Sequence, residues 1–251
     1  MRNTDGKRLY AIGDIHGCIG ELNRVLADIA DDLERRPHPD PLVIFLGDYT
    51  DRGPDSRGTI DRLIEVRDSA LPSAFLFGNH DQRFLAFLDE PEAMSTEKYH
   101  WLDAALGGNK TVASYGVLNA DLTTLTNIHE AFSAAVPDSH IAFLREAEVY
   151  KQVGTYTFVH AGIRPGVAMP DQDVEDLIWI RDPFLHFKGD HGFVVVHGHT
   201  PVKRIENRGN RIDVDTGAVF GRHLSCLVLE DDTQSQLVGH NLLSCPPELS
   251  A

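Results

Sequence analysis

The chain has 251 residues, 42% apolar and 24% charged, enough for one large domain with a sizeable core. Its longest apolar runs, such as residues 42–46, fall far short of the ~20 needed to span a bilayer, and the polar stretch from Met1 to Arg8 offers no signal segment, so the expected compartment is the cytoplasm. A net charge of −15 opposes nonspecific attachment to nucleic acid or to an anionic membrane, and Cys18, Cys226 and Cys245, with no Cys-x-x-Cys pair, argue against a disulfide framework.

Arg8 to Ile12 reads as a strand. Leu22, Val25, Leu26, Ile29 and Leu33 then recur at helical spacing and predict a helix over residues 19–34, which Pro37-His38-Pro39 ends. Leu42 to Leu46 is a continuous apolar strand, Ile60, Leu63 and Ile64 mark a second helix, and Ala74 to Phe77 a third strand. This β-α-β-α-β order predicts a parallel sheet. Residues 82–150 read as mainly helical, with helices over Phe84 to Leu88, Tyr99 to Leu106 and Ile141 to Glu148, and form the expected cap. Strands follow at Tyr156 to Val159, Phe193 to Val196, Arg211 to Val214 and Leu224 to Leu229. The expected fold is α/β: a two-sheet sandwich flanked by helices, forming a single domain over residues 1–251 with no internal boundary or repeat.

Six motifs punctuate this pattern: Gly13-Asp14-Ile15-His16-Gly17, Gly47-Asp48-Tyr49-Thr50-Asp51-Arg52-Gly53, Gly78-Asn79-His80-Asp81, His160-Ala161-Gly162, Gly198-His199-Thr200 and Asp215-Thr216-Gly217. The early ones each follow a strand, where open α/β sheets place their ligands. Asp14 and His16 alternate, so on an extended strand end both face one way and can grip one cation. Asp48 offers a carboxylate able to bridge two cations, Asn79 a neutral oxygen, and His160 and His199 nitrogens. Mixed oxygen and nitrogen ligands suit manganese, iron or zinc better than calcium, and thirteen histidines fit metal chemistry. Any one of these residues is more often structural than a ligand; it is the repetition, with glycine beside each, that points to a site. His197 reads as a packed core histidine and Asp215 as a loop-holding carboxylate. Trp101 and Tyr115 are weighed as either groove lining or cap packing.

In content and order, these motifs resemble the calcineurin-like metallophosphoesterases, and within them the PPP-type serine/threonine protein phosphatases, especially the short bacterial and phage branch. The resemblance runs from Arg8 to about Gly221 and is carried above all by Gly-Asp-x-x-Asp-Arg-Gly followed by Gly-Asn-His. It implies one metal on Asp14, His16 and Asp48 and a second on Asp48, Asn79, His160 and His199. It further implies His80 as general acid oriented by Asp51, and phosphate held by Arg52 and Arg181; for Arg181 a surface ion pair is an equal alternative. Two such cations supply a clamp on the phosphoryl oxygens and an acidified water, and a charged His80 supplies the leaving alkoxide with its proton.

One departure bears on substrate. The family's protein phosphatases usually carry Gly-Asn-His-Glu, whereas Asp81 stands here, as in relatives that cleave dinucleoside polyphosphates. Asp51, which those hydrolases often lack, is present. The expected activity is therefore dephosphorylation of phosphoserine or phosphothreonine in a phosphoprotein or phosphopeptide, probed best with manganese. The alternative is symmetrical hydrolysis of diadenosine tetraphosphate, and a third reading is a non-catalytic binding module on the same fold.

Overall fold

The computed structural model describes residues 2–91, 100–117 and 124–247. Strands β1 (Arg8–Ile12), β2 (Pro41–Phe45) and β3 (Ser73–Phe75) alternate with helices α1 (Ile19–Arg35), α2 (Ser56–Arg67) and α3 (Asn79–Asp89). Helices α4 (Gly108–Ser114), α5 (Leu125–Ala135) and α6 (Asp138–Arg145) follow, then β4 (Tyr150–Val153), β5 (Tyr156–Val159) and α7 (Val174–Trp179). Strands β6 (Val194–His197), β7 (Glu206–Asn207), β8 (Arg211–Asp213), β9 (Cys226–Glu230), β10 (Thr233–Val238) and β11 (Asn241–Ser244) complete the order.

Two sheets result, β11-β10-β9-β1-β2-β3 and β4-β5-β6-β8-β7. The central pairs β1–β2, β2–β3, β5–β6 and β6–β8 are parallel, as their crossovers require, and β9 returns antiparallel to β1. Both faces of the central strands are buried, and the period of two sorts their side chains. Leu9 and Ala11 of β1, Ile44 of β2 and Val194 and Val196 of β6 fill the space between the sheets. Tyr10, Ile12, Val43 and Phe45 point outward under α1, α2 and α3, and Val195 packs with Leu177 and Ile178 of α7 on the opposite outer face.

The described part of the insert joins that first helical layer, where Trp101, Tyr115 and Phe132 pack on Phe84 and Phe87 of α3. The expected helix over Tyr99 to Leu106 does not form. Tyr99 lies outside the described residues, and 101–106 make successive turns closed by Gly107 N–H donating to Asp103 O (2.8 Å). Gly107, at φ +87°, re-aims the chain so that α4 starts at Gly108. Among the described residues no helix is long and apolar enough to cross a membrane, and all three cysteines are free.

Candidate active site

The parallel strands of both sheets deliver their C-terminal ends to one edge of the sandwich. Asp14 and His16 follow β1, Asp48, Asp51 and Arg52 follow β2, Asn79 and His80 open α3 just after β3, His160 follows β5, and His199 follows β6. These loops are sharply bent. His16, Asp48, Asp51, Arg52 and His199 account for five of the seven described non-glycine residues with positive φ. Each such position costs of order 1 kcal/mol or more and persists where surrounding structure holds it, so the strain is concentrated at this edge. His16 at φ +46° also departs from the extended geometry expected for the Asp14-x-His16 pair. Close approach is the second device: a Cβ on Gly78 would sit 2.3 Å from Asp48 Oδ1, and one on Gly198 2.1 Å from Asp14 Oδ1.

Asp48 stands between two groups of buried ligand atoms. His16, Asp48 and His80 form one, and Asp48, His160 and His199 the other; within each, the atoms lie inside 4.8 Å of one another. His16 Nε2 is 3.5 Å from Asp48 Oδ2, and His160 Nε2 is 3.4 Å from Asp48 Oδ1. His16 Nδ1 meets the Thr50 carbonyl at 2.7 Å and His160 Nδ1 the Leu46 carbonyl at 2.9 Å. Those contacts fix the proton on Nδ1 and leave both Nε2 lone pairs directed inward. Asn79 Oδ1 lies 2.9 Å from both His160 Nε2 and His199 Nδ1. For His160 an acceptor thus faces an acceptor, and His199 Nε2, buried, has no partner among the described residues. Burial lowers His16 to about 3 and His199 to about 2 and also lowers His160, so these imidazoles are neutral at pH 7 and able to offer a nitrogen lone pair. Burial likewise pushes Asp14 well above its ordinary range, with Asp215 and Asp48 adding repulsion. A donor set of neutral imidazoles, an amide oxygen and crowded carboxylates fits divalent cations on both sides of Asp48.

Within the first group, His80 Nδ1 lies 2.6 Å from Asp51 Oδ2, and both residues are buried. Two further donors fix the Asp51 carboxylate: Trp101 Nε1–H to Oδ2 (2.8 Å) and Thr111 Oγ1–H to Oδ1 (2.7 Å). The sequence offered Trp101 only as groove lining or cap packing and Thr111 not at all, since nothing in local spacing ties positions 101 and 111 to 51. Arg52 Nη1 donates to His16 Nε2 at 2.8 Å. Arg181 is exposed at the rim; burial dominates the lowering of His160 and His199, and the Arg181 charge contributes to it.

Other positions resolve differently. The Asp14 carboxylate lies outside both ligand groups and accepts from His199 N–H at 3.1 Å. Trp101 and Tyr115 do not line a groove: both are buried, Trp101 against Asp51 and Tyr115 with its hydroxyl 2.7 Å from His140 Nδ1. His197 is a core histidine, edge-on to Phe184 with Nε2 facing Arg211. Asp215 accepts from Gly217 N–H at 2.9 Å and so shapes its own turn. Asp81 is buried, accepting from Gly78 N–H (3.1 Å) and Tyr49 N–H (3.0 Å). It caps α3 and ties down the Asp48 loop, so its identity reports on loop anchoring and not on contact with substrate.

The model of the calcineurin-like phosphoesterase family matches residues 7–240. The chain belongs to the calcineurin-like phosphoesterase family. Membership sets the reaction class as metal-dependent phosphoester hydrolysis, supported by two divalent metals, but does not select protein phosphatases within it. Among similar proteins is the asymmetrical bis(5'-nucleosyl)-tetraphosphatase PrpE of Anoxybacillus flavithermus, 29% identical over 86% of this chain and 88% of its own. The enzyme of the same name from Halalkalibacterium halodurans is 28% identical over 86% and 87%. In fold, this calcineurin-like phosphoesterase is similar to a putative diadenosine tetraphosphatase (TM-score 0.59, 16% identity, all of both chains). It is also similar to the cold-active protein-tyrosine phosphatase of a psychrophilic Shewanella (TM-score 0.59, 14% identity, 97% and 83%).

Proposed function

We propose that the chain hydrolyses dinucleoside polyphosphates, cleaving a phosphoanhydride with water at the site around Asp48. The observation that carries this reading is the run of relatives named as bis(5'-nucleosyl)-tetraphosphatases, matched across 86% of the chain. Their asymmetrical designation favours cleavage to a nucleoside monophosphate and a nucleoside triphosphate over the symmetrical split. Asp81, buried and serving the fold, is neutral between the two substrates. A second reading, phosphoserine or phosphothreonine hydrolysis, is favoured by one feature. The His80–Asp51 pair is held with unusual care, and a serine or threonine alkoxide needs a proton more than a phosphate leaving group does.

The proposed roles are as follows. His16 and Asp48 would hold one cation, joined by Asp14 once its carboxylate turns from His199 N–H, and Asp48, Asn79, His160 and His199 the second, with manganese first among iron and zinc. When bound, the pair supplies charge neutralisation of phosphoryl oxygens and an acidified water. Arg52 and Arg181 orient the attacked phosphate through charge-assisted forks. His80 gives its Nε2 proton to the departing oxygen, while Asp51 Oδ2 holds the Nδ1 proton and stabilises the imidazolium. The testing experiment is a side-by-side comparison of kcat/KM for diadenosine tetraphosphate and a phosphoserine peptide with manganese present. A higher value for the dinucleotide, with AMP and ATP as products, is expected; a clear preference for the peptide overturns the substrate reading.

A further inference from the structure

His80 and Arg83 are three residues apart on α3, and therefore neighbours on one face of that helix. His80 is the group proposed to address the departing oxygen, and Arg83 is its neighbour one turn along the helix. Its guanidinium is laid over the indole of Trp179, with Cζ 4.8 Å from the ring centroid. Trp179 is itself fixed: its Nε1–H donates to Gln82 Oε1 at 2.9 Å, and its ring stands edge-on to that of His199 at 6.1 Å. The stack therefore spans from α3 to the second ligand group.

What distinguishes Arg83 is that its donors are idle. Nε is buried without an acceptor, and among the described residues the guanidinium makes no hydrogen bond or ion pair. Other half-buried arginines are well occupied: Arg24 by Glu21 and Asp28, Arg36 by Asp32 and Glu230. Glu175, whose charge reaches Arg83, is engaged by Gln82 Nε2. A buried donor without an acceptor is disfavoured, and a rigid fork of N–H groups matches the oxygens of a phosphate.

We propose that Arg83, stacked on Trp179, is an anion subsite for the phosphate next to the one attacked, and so selects substrates whose leaving group is itself a phosphate chain. A serine alkoxide offers this arginine nothing to bind; a departing nucleoside polyphosphate does. The proposal deepens the dinucleoside polyphosphate reading and rests on it for the direction of the leaving group.

The test compares inhibition of p-nitrophenyl phosphate hydrolysis by tripolyphosphate and by orthophosphate, at a fixed excess of manganese. Orthophosphate probes the attacked position alone; tripolyphosphate probes it together with its neighbour. Arg83→Gln should weaken tripolyphosphate relative to orthophosphate by about 10–100-fold, the range for losing charge-assisted hydrogen bonds. Arg83→Lys, which keeps the charge without the fork, should weaken it by less. A ratio unchanged within about threefold in both variants overturns the subsite. If the wild-type ratio depends on Arg83 while diadenosine tetraphosphate is not turned over, the subsite stands and the substrate reading falls.

Discussion

Replacing Trp101 with phenylalanine separates the two jobs of that side chain. The indole packs against Phe84, Phe87 and Phe132, with ring centroids 4.7–6.3 Å away, and its Nε1–H donates to Asp51 at 2.8 Å. Phenylalanine keeps most of the packing and removes the donor. The lost bond to a buried carboxylate costs about 1.5–3 kcal/mol, and the smaller ring leaves a void worth a further ~1–2 kcal/mol. Stability in urea should therefore fall by about 3–5 kcal/mol. Asp51 would retain Thr111 as a donor but lose the bond that fixes Oδ2, the oxygen facing His80. We expect kcat for phenyl phosphate, whose leaving group needs a proton, to drop about tenfold, equivalent to ~1.4 kcal/mol. p-Nitrophenyl phosphate, with its better leaving group, should lose less. Thr111→Val, which removes the other side-chain donor to the same carboxylate, should reproduce the leaving-group dependence without the void. Equal losses on both substrates, or a stability loss with kcat unchanged, would refute the argument that the insert positions the Asp51–His80 pair.

Three further outcomes follow from the same geometry. Asp48→Asn should lower the content of both metals by elemental analysis, because its carboxylate faces both ligand groups. Retention of two metals per chain would remove Asp48 from the bridging position. His80→Asn should reduce kcat by roughly 10²–10⁴ for a substrate with a poor leaving group while metal content holds; a matching loss of metal would make His80 a ligand instead. Away from the site, burial would raise Asp32, but hydrogen bonds from Arg36 and Tyr10 outweigh it and hold the carboxyl below its ordinary value. A folded value below the unfolded one stabilises the fold above the ordinary carboxylate range, and that contribution is lost as pH falls through it. Asp32→Asn should therefore flatten the decline in urea midpoint below about pH 5, and an unchanged slope would count against this network.

The motifs at the strand ends were legible because each couples a ligand type to a glycine, and their placement needed only the β-α-β order. β1, β2 and α1 were also legible: the strand runs are apolar on both faces and the helix repeats its apolar positions over four turns. What escaped is tertiary. A helix was expected over Tyr99 to Leu106, but residues 101–106 form turns and the Trp101 indole reaches a carboxylate 50 positions earlier. Helix α5 falls inside the insert expected to be mainly helical but was not bounded, although Thr124 caps it by accepting from Asn127 N–H, a local signal. The β10–β11 hairpin that widens the first sheet was likewise unread, its residues being mostly polar or exposed. Arg83 carries no motif of its own; only the fold shows that its donors are idle beside Trp179.

The most direct test of the central claim is a crystal structure of the manganese-loaded protein with anomalous scattering recorded at the metal edge. Two peaks flanking the Asp48 carboxylate are expected, one toward His16 and the other among Asn79, His160 and His199. A single peak, or two that do not share Asp48, would contradict it.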